Sequence, residues 1–157
     1  MGELDSGRAR LVTNELYLYT NARMSPDHRW IAYPTPENTG ILVSSSGGAD
    51  ARVVLTAEGR DEPTSLVWAD AHTLVHAWGG IVRATDVASG KSRLLGRFTD
   101  IGWPSEFVGA SSDGKYVAYL ARGDKAIHVV AVHGGDNSEV ALPAIKGKLH
   151  GVWLVFA

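Results

Sequence analysis

The side chains able to do chemistry in this chain are scattered rather than gathered. Its six histidines are His28, His72, His76, His128, His133 and His150. A His-Glu-x-x-His pattern, or a close pair backed by a carboxylate, would point to metal binding or proton transfer. Neither pattern occurs, so the histidines are expected in turns and on strand surfaces. A nucleophilic serine would want a Gly-x-Ser-x-Gly elbow, and a phosphate site a glycine loop with its lysine. Both are absent, and Ser44-Ser45-Ser46 before Gly47-Gly48 reads as a solvated turn. Asp27, Asp70 and Asp113 could form a carboxylate set if the fold brought them together. Their spacing argues otherwise, because each stands 43 residues from the next. Equal spacing places them in equivalent turns of a repeat, where an aspartate caps its own backbone. No catalytic residue, metal site or cofactor is predicted.

The repeat has further anchors. Thr13, Thr56 and Thr99 each precede the aspartate of the following copy by 14 residues. After each aspartate comes a third element and then a turn: Ile41-Leu42-Val43 with Gly47-Gly48, Ile81-Val82-Arg83 with Ser89-Gly90, and Ile127-His128-Val129 with Gly134-Gly135. Within one copy, Thr64 to Trp68, Thr73 to Trp78, Ile81 to Val87 and Ser92 to Phe98 are β-rich runs separated by turn residues. Four short strands in about 43 residues, repeated, match the blades of a β-propeller. The predicted fold is all-β. It has three complete four-stranded blades, at about 21–56, 64–99 and 106–142, in one partial propeller domain spanning 1–157. A fourth-strand segment at 9–13 and a first-strand segment at 150–156 add partial blades at both ends.

The wording of the repeat carries a resemblance. Ser25-Pro26-Asp27 before Trp30-Ile31-Ala32-Tyr33, and Ser112-Asp113-Gly114-Lys115 before Tyr116-Val117-Ala118-Tyr119, resemble the repeat of TolB-type, WD-repeat-like propellers. The likeness covers residues 9 to 142 and specifies a type of blade, not an activity. Ala69-Asp70-Ala71 in the middle copy lacks the serine, proline and glycine of the motif. Propellers resembling this one bind ligands at one mouth of a central channel, lined by the loops between consecutive blades. That points to Arg60, Asp61 and Glu62 in one crossing, and to Asp100, Trp103 and Glu106 in the next. Trp78, before Gly79-Gly80, should lie at the same face. An exposed tryptophan between Gly102 and Pro104 would make an aromatic anchor.

Composition fits this reading. Gly 18 and Trp 5 among 157 residues suit many short strands joined by tight turns. The 15 Lys+Arg nearly balance 17 Asp+Glu, which argues against a nucleic-acid or anionic-membrane surface. With Cys 0, disulfides and thiolate metal sites are excluded. No apolar run approaches the ~20 residues of a membrane span, and residues 1–8 do not read as a signal peptide. The compartment stays open between cytoplasm and export with the leader removed. The expected function is a non-catalytic module binding a protein or peptide. The alternative is the substrate-gating propeller of a larger prolyl-oligopeptidase-like serine peptidase. Because the ends would offer complementary strands, a homodimer or a second chain is expected to complete the ring.

Overall fold

A computed structural model of the chain describes residues 22–36, 39–47, 51–56, 63–78, 81–97, 106–120 and 126–141. They form twelve strands and no helix. β-Branched and aromatic residues recur along most of these short runs, and glycine, serine and aspartate interrupt them, which favours short antiparallel strands. The strands make three four-stranded sheets, each a meander in chain order. Blade 1 comprises β1 (Arg23–Met24), β2 (Trp30–Pro34), β3 (Gly40–Ser45) and β4 (Arg52–Thr56). Blade 2 comprises β5 (Pro63–Trp68), β6 (Thr73–Trp78), β7 (Ile81–Asp86) and β8 (Ser92–Arg97). Blade 3 comprises β9 (Glu106–Ala110), β10 (Tyr116–Leu120), β11 (Ala126–Ala131) and β12 (Ser138–Ala141). Segments 9–13 and 150–156 lie outside the described residues.

Strand alternation sends one set of side chains from each sheet toward the preceding blade and the other toward the next. The seam between blades 1 and 2 is filled by Ala32, Ile41 and Val43 from one side and Leu66, Trp68 and Leu74 from the other. Val75, Ala77 and Val82 of blade 2 meet Val117, Tyr119 and Val130 of blade 3 in the second seam. The expected second strands are equivalent: Trp30 pairs with Ser45, Thr73 with Asp86 and Tyr116 with Ala131.

Register corrects two expectations. Thr56 pairs with Gly40, and the equivalent Ile81 pairs with Arg97, so the threonine anchor is not a structural equivalence. Bulges after Ile41 and Val82 absorb a residue in the fourth strand, and they place Arg52, Arg93 and Ser138 at one position. Ser44 and Ser45 are not a solvated turn. They end β3, and Ser44 is buried.

Candidate functional site

Each aspartate of the repeat sits in the turn between the first two strands of its blade. Ser25 Oγ donates to Asp27 Oδ1 at 2.6 Å and accepts from the Trp30 N–H at 3.0 Å. Blade 3 repeats this: Ser111 Oγ donates to Asp113 Oδ1 at 2.7 Å and accepts from the Tyr116 N–H at 3.0 Å. The serine hydroxyl holds Asp27 below the usual carboxylate range, helped by the Arg29 N–H. Asp113 is held at about 2 by Ser111, then by the N–H and ammonium of Lys115. These carboxylates are engaged within three separate turns, as turn capping requires.

The middle turn differs. Four residues join Trp68 to Thr73, where five join Met24 to Trp30, and alanine stands where the other turns have serine. Asp70 Oδ1 therefore accepts directly from the His72 and Thr73 N–H groups, both at 2.7 Å. Burial works to raise the Asp70 pKa, but those bonds and the nearby His133 bring it below its ordinary value. Oδ2 is left to meet His133 Nε2 of blade 3 at 3.3 Å. On the other side, Trp68 Nε1 donates to the Arg23 carbonyl of blade 1 at 2.8 Å.

All of these turns lie at one end of the sheets. Because successive strands run antiparallel, the second-to-third-strand connections and the blade-to-blade crossings belong to the opposite end. Arg60, Asp61, Glu62, Asp100 and Trp103 fall in those crossings and lie outside the described residues. Trp78 ends β6, paired with Pro63 and Ile81. Glu106, expected in a loop, is the first residue of β9, paired with Leu120, because the β-rich run begins there. The backbones of Trp78 and Glu106 are thus at the crossing end of adjacent blades.

His76 departs from the expectation of an exposed histidine. It is 1% exposed, pairs across the sheet with Leu66 and Arg83, and occupies the position of Tyr33 and Tyr119 in the neighbouring blades. Burial, with Arg83 nearby, lowers its pKa to about 4, so the ring is neutral near pH 7. Nε2 lies 3.0 Å from Thr85 Oγ1, which lies 2.7 Å from Ser92 Oγ at the surface. With the proton on Nε2, every donor in this chain points outward and Nδ1 is left as a bare acceptor. The opposite tautomer would bury an unpaired N–H, which is the costlier arrangement. Alternation marked the site in the sequence, since His76 is in phase with Leu74 on a strand whose other face is Val75 and Ala77.

His128 is half-buried and stacks on Tyr119, with centroids 4.8 Å apart, while its Nδ1 lies 3.1 Å from Glu139. Among the described residues, no group of three or more His, Asp or Glu could hold a metal ion.

Solved structures with this arrangement are β-propellers. A nidogen/laminin complex matches with TM-score 0.60 and 15% identity over 87% of this chain and 52% of that one. The β-propeller domain of Myceliophteria thermophila Cps50 (Swd1) matches at 0.57 and 18%, over 80% and 39%. An oligogalacturonate lyase in complex with manganese matches at 0.56 and 18%, over 77% and 35%. These likenesses show the fold: an all-β chain of propeller blades, spanning about half or less of each matched chain. No sequence family and no curated protein matches it.

Proposed function

We propose that the chain is a non-catalytic β-propeller module that binds a protein or peptide at the crossing end of its sheets. The observation that carries this is the division of labour between the two ends. At the turn end, the repeat aspartates are occupied in bonds within their own turns and, at Asp70, with His133 of the next blade. We read Arg60, Asp61, Glu62, Asp100 and Trp103 of the crossings, together with Trp78 and Glu106, as the binding residues, a mix of charged and aromatic types suited to a peptide. The match to a structure of a protein complex supports a protein partner. Ser25 with Asp27, and Ser111 with Asp113, favour TolB-type blades. A second copy or another chain is read as what completes the ring.

Panning a displayed-peptide library on the immobilised chain tests the reading. Selected peptides should lose at least tenfold affinity on Trp103→Ala or Arg60→Ala and almost none on Asp27→Ala. Peptide turnover abolished at a single residue would refute it and favour the peptidase alternative.

A further inference from the structure

The two outward faces of the three-blade arc are copies of faces that are covered elsewhere in the same molecule. On blade 1, Met24 pairs with Ile31 at the position where Trp68 pairs with Leu74 in blade 2. Trp68 is 5% exposed because blade 1 packs on it, whereas Met24 is 51% exposed. At the far end of the arc, Tyr116 takes the position of Trp30, and Val140 that of Leu55, by their pairing with the third strand. Trp30 and Leu55 pack into the seam between blades 1 and 2. Tyr116 and Val140 are 42% and 55% exposed. At each position the side chain is of seam type, and exposure differs according to whether another blade lies against it.

From this we infer that the outward faces of blade 3 and blade 1 are the two halves of one more seam, closed between two copies of the chain. We take a second copy as the occupant because the register makes the two open faces of one chain complementary to each other. Blade 3 turns outward the kind of face that blades 1 and 2 present to their followers, and what those followers offer in return is the kind of face that blade 1 leaves open. The seam is continuous with the two inside the chain. Met24 and Tyr116 are both exposed, so neither outward face is covered by another blade among the described residues. Two copies supply six four-stranded sheets, within the roughly 4–8 blades of closed propellers. A two-fold axis makes the two new seams identical, so the contact closes instead of propagating. This deepens the proposal above that a second chain completes the ring, and it rests on that reading.

The new seam lacks one device. Arg52 Nη2 donates to the Val87 carbonyl across the first seam at 2.8 Å. Arg93 holds the equivalent place, its guanidinium beside Gly134 of blade 3. Ser138 stands there in blade 3, too short to reach across. The junction between copies should therefore separate on dilution while the sheets persist.

Because the chain has no cysteine, introduced thiols report the seam directly. Chains carrying Met24→Cys, mixed with chains carrying Tyr116→Cys and oxidised, should give a covalent dimer. The pair His28→Cys and Ser89→Cys, both in turns, should not. Light scattering of the unmodified chain at micromolar concentration should give twice the chain mass. Met24→Glu or Val140→Glu should weaken dimerisation at least tenfold and leave the strand spectrum unchanged. A folded monomer, or equal cross-linking by the turn pair, overturns the inference. A monomer that still binds selected peptides overturns the seam alone. A dimer that selects no peptide supports the seam and removes the binding reading.

Discussion

The middle turn and its two neighbours solve one local problem with different atoms, and the difference spreads across the molecule. In blades 1 and 3 a serine hydroxyl takes the N–H that opens the second strand, and the aspartate steadies the serine. In blade 2 the turn is shorter, the serine is Ala69, and Asp70 takes that N–H itself. One carboxylate oxygen is then free to face His133, while Trp68 at the end of the preceding strand reaches the Arg23 carbonyl. The turn least like the repeat is thus the one joined to both neighbours. Departure from a repeat is informative here, because it marks where a blade is fitted to particular partners.

Gly114 offers the hardest way to break this fit. Its φ is +71°, and a Cβ there would lie 2.5 Å from the Ala69 carbonyl oxygen, so blade 3 rests on the middle turn at this point. Gly114→Ala should cost about 3 kcal/mol, from left-handed strain together with displacement of backbone, read by urea unfolding. His28 occupies the same place in blade 1 with φ 61°. The same backbone position therefore tolerates a side chain where no blade is packed against it among the described residues.

Acid should act next, through blade 2. The folded-state pKa of His76 lies at about 4, below the unfolded value of 6.5. Its contribution is fully present above pH 6.5 and is lost as pH falls toward 4, because only the unfolded chain takes up the proton. A shift of this size corresponds to about 3 kcal/mol in full and somewhat less at pH 4.5. His76→Phe should flatten the stability profile between pH 7.5 and 4.5 in urea titrations. An unchanged slope would show that the ring is not buried as described. The lowered pKa values of Asp27, Asp70 and Asp113 act separately, withdrawing stability once pH drops below the ordinary carboxylate range.

The turns themselves can be compared by substitution. Asp70→Ala removes the acceptor of two backbone N–H groups and the partner of His133, and should lower stability by about 2 kcal/mol. Asp27→Ala and Asp113→Ala leave Ser25 and Ser111 in place and should each cost less than Asp70→Ala. Equal losses at all three positions would remove the distinction drawn between the turns. Smallest of all, His28→Gly should stabilise by up to about 1 kcal/mol, by relieving a positive φ, unless its added freedom in the unfolded chain cancels the gain.

The repeat, its strands and its Asp turns were legible in the sequence because they are local. A turn residue acts on backbone within five positions, and alternation reports which side chains share a face. The shorter middle turn was also visible, as the missing serine and proline before Asp70. What the chain order did not reveal was which departures matter. His76 looks like any strand histidine until blade 1 covers it, and the bulges that align Arg52 with Arg93 shift the apparent period without any residue signature. The candidate binding residues stay at the level of sequence, since Arg60, Asp61, Glu62, Asp100 and Trp103 lie in crossings beyond the described residues. Sequence alone determined the blade, because hydrogen bonding within a meander is satisfied between neighbours in the chain. Only the tertiary structure decided the seams, since burying one sheet face against another depends on residues some forty positions apart meeting in register.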